Sequence, residues 1–249
     1  MRPSDHQPPK KVAWLQCVGS RDIHHAAHGY CSGVCCMYAI KEAVIAKEHS
    51  DSDLDTAIFF MDMRTYGKEF ERYYDRADKE NGVRFIRSRV HSVEPAGPDS
   101  DDLVIGYTDE NGVMRSEVFD MVVLSVGLEI SKEGRELAGR LGIDIDNDGF
   151  AETGSFAPVA TSRPGIFSCG AFSGPKDIPY SVMEASAASA ATAASLADSR
   201  DTLVHTKTYP DEMQVGDAEP RIGVFVCHCG INIRSEERRV GKECRSRWS

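Results

Sequence analysis

Nowhere in its 249 residues does this sequence run to about 18 consecutive apolar residues, so nothing in it reads as a membrane-spanning helix. The opening stretch MRPSDHQPPKK lacks the apolar centre of a secretory signal, which points to the cytoplasm. Basic charge is short as well: 29 Lys and Arg stand against 39 Asp and Glu, a formal net charge of −10. A chain of that sign offers no broad cationic face to displace the counterions of a nucleic acid. No internal repeat is found, which excludes a solenoid or propeller. Cysteine, by contrast, is well represented, with 8 residues. In a cytoplasmic chain thiols more often ligate metals or do redox chemistry than form structural disulfides.

Periodicity gives the organisation. Residues 1–11 are polar and Pro-rich and read as a linker. From there, Val12 to Gln16 reads as a buried strand, Val34 to His49 as a helix, and Thr56 to Met63 as a strand apolar on both faces, as parallel strands are. Gly67 to Asn81 is an amphipathic helix stopped by Gly82, and Val83 to Val93 a further strand. Leu103 to Tyr107 and Ser116 to Phe119 suit a hairpin around Asn111-Gly112, and Asp120 to Val126 is another apolar strand. This β-α-β-α-β order, followed by a hairpin and a strand, predicts a nucleotide-binding type of α/β domain over 12–127, with its strands in one mainly parallel sheet. Beyond it come a short helix, Leu137 to Gly142, and a loop over Gly149 to Thr161. A buried strand is expected at Gly165 to Cys169 and a helix at Tyr180 to Ala197, with Pro179 suited to its first turn. That helix is rich in Ala and Ser, which fits close packing against a sheet or cofactor and equally a plain alanine helix. Residues 200–220 read as linker, and Arg221 to Gly230 opens a new strand leading to Cys227 and Cys229, whose role the sequence leaves open. The stretch 235–249 has no apolar period and a sudden basic bias, and reads as a non-native tail.

Cys17, Cys31, Cys35 and Cys36 form C-x13-C-x3-C-C within twenty residues. Four thiolates suffice for a [4Fe–4S] cluster or a structural zinc. Zinc sites usually show two close Cys pairs, whereas here there is one loose knuckle and an adjacent pair. Cys17 follows a strand, while Cys35 and Cys36 fall in the first turn of a helix, where free N–H groups and the helix dipole favour thiolates. On spacing, an iron–sulfur cluster, a redox disulfide from Cys31, Cys35 and Cys36, and a zinc site all remain open. No ferredoxin run C-x2-C-x2-C-x3-C is present.

A dinucleotide-binding domain places G-x-G-x-x-G directly after its first strand. Here that strand runs into Cys17-Val18-Gly19-Ser20-Arg21-Asp22, which keeps only Gly19, so this segment is not built to approach a pyrophosphate. A second informative stretch is PGIFSCGAFSGPKDIPYSV, from Pro164 to Val182. It is similar to the strand–loop–helix of flavin disulfide reductases, where a strand ends in Gly-Asp and the next helix N-terminus faces the flavin. Ala171 stands in the Asp position, so the carboxylate contact to the ribityl chain is missing. Arg64 and Tyr66, just past a strand end, suit ligand-facing and structural roles alike.

Together VAWLQCVGSRD, YCSGVCCMYAIKEA, FFMDMRTYGKEFERYY, GVRFIRSRV, DMVVLSVGL and GIFSCGAFSGPKDIPYSVMEASAASA resemble the A-type subunit of heterodisulfide reductase, an iron–sulfur flavoprotein, from about Val12 to Ala197. The resemblance implies a three-layer FAD/NAD(P)-binding fold of the thioredoxin-reductase type, incomplete here, with residues 128–199 as the C-terminal part of the FAD-binding domain. It implies a [4Fe–4S] cluster on Cys17, Cys31, Cys35 and Cys36, and FAD contacts from Gly170, Ala171, Lys176, Asp177, Ile178, Pro179, Ser181 and Val182. Lys41 is placed to stabilise negative charge near the flavin, or to be an ordinary surface lysine. RIGVFVCHCGINI resembles the start of a further cluster-binding domain over 221–234. The implied function is an oxidoreductase moving electrons between FAD and [4Fe–4S] clusters in a flavin-based electron-bifurcating complex. Its implied partners are other heterodisulfide reductase subunits and a hydrogenase- or formate-dehydrogenase-type electron donor. The G-x-G-x-x-G half of the FAD domain is not in this chain, which reads as an internal fragment, inactive alone. The alternatives are a pyridine-nucleotide-linked flavin disulfide reductase using a Cys pair, and a zinc-stabilised scaffold.

Overall fold

The apolar runs collapse into a layered structure because each strand carries two apolar faces that must both be covered. The computed structural model describes residues 1–22 and 28–211, with 216, 219 and 222. Four strands, β1 (Lys11–Leu15), β2 (Asp55–Phe60), β3 (Arg84–Arg87) and a later one, Met121–Leu124, form a parallel sheet. The order is β3-β2-β1 and then Met121–Leu124, with Ala13 opposite both Ala57 and Val122. The connection from β1 to β2 is α1 (Cys35–Glu48), and that from β2 to β3 is α2 (Phe70–Lys79). Between β3 and the last strand of this sheet, β4 (Ser92–Pro95), β5 (Leu103–Thr108) and β6 (Met114–Phe119) make a separate antiparallel sheet; the parallel strand Met121–Leu124 is therefore β7.

The period-two pattern of the strands sorts the core into two. Val12, Trp14 and Ile58 point to α1 and pack on Ala39, Ile40, Ala43 and Val44, with Ala77 of α2 alongside. Ala13, Leu15, Ala57 and Phe59 point the other way, against Ile105 of β5 and Phe119 of β6. Phe59 meets Tyr107 and Phe119 edge-on, with ring centroids 5.0 and 5.9 Å away. Helices, parallel sheet and antiparallel sheet are thus the three layers expected. Ile58 is wholly buried at the helix-facing side. Removing one methyl group with Ile58→Val should cost about 1 kcal/mol, read as a lower urea midpoint with an unchanged slope.

Two expected elements differ. The strand foreseen at Val83 to Val93 is two: the chain leaves the parallel sheet after Arg87, turns at Ser88, and re-enters as β4 opposite β5. One apolar pattern runs across both pieces because both layers bury apolar residues, so periodicity does not mark the crossing. Gly165 to Cys169 is not a strand; it closes on 159–161 through a single bridge, Phe167 with Ala160, and the bond from Ser168 N–H to the Val159 carbonyl. Smaller shifts are ordinary end effects. The foreseen helix at Leu137 to Gly142 is longer, α3 (Lys132–Leu141), capped by Ser131. The Ala-rich helix is α4 (Ile178–Ser195), and none of its 18 residues is buried. The hairpin turn is held as foreseen, with the Asp109 carboxylate accepting from the N–H groups of Asn111 and Val113.

Residues 1–11, read as linker, are tied down. The Arg2 guanidinium pairs with Asp5 and with Asp102, and the N–H groups of Lys10 and Lys11 donate to the Asp120 carboxylate. Residues Met1–Thr202 form one unit. In the second, Leu203–Ser249, the described residues are exposed and carry neither helix nor strand. Cys227, Cys229, the expected further domain over 221–234 apart from residue 222, and the tail 235–249 lie outside the described residues. Among the described residues no helix is long and apolar enough to cross a membrane.

Candidate functional site

The site begins where β1 ends. Two residues on, Cys17 takes a left-handed backbone, φ 61°, and Arg21 does the same at φ 57°. Such conformations cost a non-glycine residue roughly 1–3 kcal/mol and persist where surrounding structure dictates them. Tertiary contacts pin the loop: Val18 N–H donates to the Ser125 carbonyl after β7, and Arg21 N–H to that of Tyr30. The chain then passes Cys31 and enters α1 with Cys35 and Cys36 as its first two residues. Among the described residues no side chain caps that helix, and its first residues, Cys35 and Cys36, line the cavity.

All four cysteines line one cavity, joined by Arg21, Asp62 and Arg64, and all four are free thiols. Each sulfur meets a hydrogen-bond donor. Gly33 N–H donates to Cys31 Sγ at 3.4 Å. The Arg64 N–H serves Cys36, the Tyr38 hydroxyl and Gly127 N–H serve Cys35, and the Arg21 guanidinium lies against Cys17. The Cys36 thiol itself donates to the Asp62 carbonyl at 3.7 Å. Burial pushes the thiols of Cys17, Cys35 and Cys36 upward, Cys36 to about 11, and neighbouring cysteines add to this because their thiolates repel. Thiols tuned to exchange disulfides are held low instead. Among the described residues no group of three His, Cys, Asp or Glu could hold a single metal ion.

Two glycines let the segments close over the cavity. A Cβ on Gly127, at φ 81°, would stand 2.4 Å from Ser32 Oγ, the buried atom that accepts from Leu128 N–H at 2.8 Å. A Cβ on Gly33, at φ 70°, would stand 2.8 Å from the Tyr66 hydroxyl. Gly33 also borders the Pro175 carbonyl, 3.8 Å from that Cβ position, and Tyr66 meets Tyr180 edge-on at 6.2 Å. The cysteine loop therefore abuts the second predicted region. A separate cleft of about 290 Å³, lined by Gln16, Arg89 and His91, also has Cys17 in its wall.

In that second region Glu184 is the hub. Its carboxylate accepts from Gly170 N–H at 2.8 Å, from Ser173 Oγ at 3.0 Å and from Lys176 Nζ at 2.6 and 2.8 Å. Lys176 also donates to Ser173 Oγ at 2.8 Å. All three N–H bonds of its ammonium are thereby engaged within the loop, so Lys176 shapes the loop rather than reaching outward. Burial alone would raise the Glu184 carboxyl, but Lys176, Gly170 and Ser173 outweigh it and hold it low. Asp177 caps α4, accepting from Tyr180 N–H at 2.9 Å, and Ser181 Oγ donates to the Asp177 carbonyl at 2.8 Å. Ala171, Ile178, Pro179 and Val182 are exposed, and Gly170 has the left-handed φ of 71°. Lys41 sits on the exposed side of α1 with no partner among the described residues, away from the buried row of Cys36, Ala39 and Ile40.

Residues 45–192 match the family described as pyridine nucleotide-disulphide oxidoreductase. The chain belongs to that family. Within this oxidoreductase family its likeness is to the A-type subunit of heterodisulfide reductase. It is 42% identical over 201 residues to the second A-type iron-sulfur subunit of the CoB–CoM heterodisulfide reductase of Methanopyrus kandleri, covering 79% of this chain and 30% of the relative. It is 40% identical over 247 residues to the A-type subunit of the H(2)/formate:CoB-CoM heterodisulfide,ferredoxin reductase of Methanococcus maripaludis, covering 97% of this chain and 36% of the relative. A third relative, from Archaeoglobus profundus and described as like the same heterodisulfide reductase subunit, is 41% identical over 197 residues, 78% of this chain and 27% of its own length. The chain thus spans about a third of the curated relatives it matches. Arg21, Asp62 and Glu184 escaped the sequence reading, since each acts across a fold contact that no local motif announces; Tyr38 also escaped it, although its place three residues after Cys35 on α1 is a helical spacing that could have found it.

Proposed function

We propose that this chain is the part of a heterodisulfide-reductase-type flavoprotein where FAD and a [4Fe–4S] cluster meet. Cys17, Cys31, Cys35 and Cys36 hold the cluster, and the loop and helix start from Gly170 through Asp177 to Val182 hold the flavin. The observation that carries the reading is one cavity lined by four free thiols, each facing an N–H or O–H donor. A second feature fits an anionic metal–sulfur group: the Arg21 guanidinium lies against Cys17, and its Nη1 is buried with no hydrogen-bond partner among the described residues. A single tetrahedral zinc needs four sulfurs at about 2.3 Å from one point, whereas a cubane gives each thiolate its own iron. When bound, the cluster passes single electrons and the flavin one or two.

The chain's own residues prepare the place. Ligation strips protons from thiols that burial keeps protonated, so assembly releases protons and strengthens as pH rises. The α1 N-terminus and the N–H groups of Gly33, Arg64 and Gly127 lower the cost of the resulting negative charge. Glu184 and Lys176 fix the Gly170 turn, and Asp177 fixes the start of α4, so flavin-facing backbone is set before the cofactor arrives. Tyr66, between Gly33 and Tyr180, ties the two regions together. In the whole protein this unit would serve flavin-based electron bifurcation in the cytoplasm. Its partners would be other heterodisulfide reductase subunits and a hydrogenase- or formate-dehydrogenase-type donor, in keeping with the H2/formate-linked name of one relative.

Anaerobic reconstitution of the whole chain with iron and sulfide tests the cluster. The expected product carries about four irons per chain and a reducible, EPR-active centre. Tight zinc uptake with no iron retained would point to a scaffold, and flavin bands without iron to a cysteine-pair reductase.

A further inference from the structure

We propose that Arg21 sets the reduction potential of the cluster centre, through an inward-facing cationic N–H that Asp62 counterbalances; the inference rests on the cluster reading above. Arg21 lines the same cavity as Cys17, Cys31, Cys35 and Cys36. Its two terminal nitrogens are used differently. Nη2 pairs with Asp62 Oδ2 at 2.6 Å, whereas Nη1 is buried and has no hydrogen-bond partner among the described residues. A buried guanidinium N–H without an acceptor is an expensive arrangement. The left-handed backbone of Arg21 and the bond from its N–H to the Tyr30 carbonyl hold it there nonetheless. The guanidinium already lies against Cys17, and the sulfurs that line this cavity, anionic once ligated, are the acceptors at hand for the buried N–H.

Arg21 stands between the more exposed Asp62 carboxylate, with which it pairs, and the Cys17 sulfur. Asp62 retains 43% side-chain exposure and also faces Arg87 at 3.8 Å, so its hold on Arg21 is partly screened from without. Arg21 is the cation at 25% exposure, with one buried N–H and its guanidinium against Cys17. Arg64, which lines the same cavity, meets Cys36 through its backbone N–H. The couple takes up one electron and one unit of negative charge. A fixed cation stabilises the reduced state more than the oxidised one, because attraction grows with the charge it meets. Loss of the guanidinium must therefore lower the potential. Loss of the Asp62 carboxylate, which leaves the guanidinium's full charge facing inward, must raise it.

The test uses the whole chain reconstituted anaerobically, with iron counting and an EPR-monitored potentiometric titration, for wild type, Arg21→Met, Arg21→Lys and Asp62→Asn. Iron content should stay at the wild-type value in Arg21→Lys and Asp62→Asn. For Arg21→Met the oxidised-to-reduced ratio at fixed potential should rise about tenfold, a downward shift of about 59 mV for a one-electron couple. Arg21→Lys should recover most of that shift, and Asp62→Asn should move the midpoint the opposite way. Opposite signs separate an electrostatic role from a structural one, which would broaden or erase the signal in both. Unchanged midpoints, or shifts of one sign in Arg21→Met and Asp62→Asn, overturn the proposal. Should Arg21→Met lose its iron, an unshifted Asp62→Asn overturns it alone. A wild-type chain that retains no iron would instead overturn the cluster reading on which this rests.

Discussion

Serine in place of Cys36 should leave the reconstituted chain without its four-iron centre, or with a converted one, and Cys35→Ser should do the same. Cys35 and Cys36 are the most buried of the four thiols and the first two residues of α1. A serine hydroxyl is a far weaker acid than a thiol, and in this setting even the Cys36 thiol is pushed up to about 11. It would therefore stay protonated and donate no anionic ligand. The replacement is otherwise mild: serine is close in volume to cysteine and can make the same hydrogen bond to the Asp62 carbonyl. Loss of the centre with an unchanged far-UV spectrum would thus report on ligation and not on folding. Iron per chain and the EPR signal of the reduced protein are the measurements. If both variants keep four irons and the same signal, the adjacent pair does not supply two ligands, and a redox pair at this position becomes the better account. The same chemistry gives a pH dependence: iron binding displaces protons from raised thiols, so apparent affinity should increase from about pH 6 to about pH 9, with proton release measurable in weak buffer.

Glu184→Ala should cost about 3 kcal/mol of stability at neutral pH, at the low end for leaving a buried charge unpaired. The side chains of Lys176 and Glu184 are each 13% exposed, and without the carboxylate the ammonium, Gly170 N–H and Ser173 hydroxyl all lose an acceptor. Lys176→Met should cost less, since Glu184 keeps two donors. Replacing both with apolar residues should cost less than the sum of the two, because no charge is then stranded. Urea unfolding of the four proteins closes this cycle, and single variants within about 0.5 kcal/mol of wild type would show that water already solvates the pair. The acid limb follows in sign. Glu184 is held below its ordinary value, so its stabilisation is present above the unfolded pKa and is lost as pH falls through the lower, folded one. The wild-type advantage over Glu184→Ala should therefore shrink in acid below the ordinary glutamate range.

The sequence by itself determined a good deal. Alternation in β1 and β2 required a sheet covered on both faces, since Val12 and Trp14 face one way and Ala13 and Leu15 the other. The Asn111-Gly112 turn, the Pro179 start of α4 and the placing of Cys35 and Cys36 at the head of α1 are local features. They depend on residues a few positions apart, and backbone preference together with hydrogen bonding within one turn decides them. The gathering of Cys17 with Cys31, Cys35 and Cys36 was foreseeable for the same reason: a strand end and the next helix start are neighbours in any β-α unit.

Only the tertiary structure decided the rest. Arg21 meets Asp62, 41 positions away in sequence, because β1 and β2 are adjacent and their ends open on one cavity. Glu184 reaches Gly170 because α4 folds back along its own loop, and from sequence it is one polar residue in an Ala-rich helix. The break between β3 and β4 was invisible because the chain passes from one buried layer to another without changing its apolar pattern. Side-chain periodicity records whether a residue faces an apolar neighbour. It does not record which neighbour that is, and the charges around the cysteines and the carboxylate behind Lys176 are matters of which neighbour.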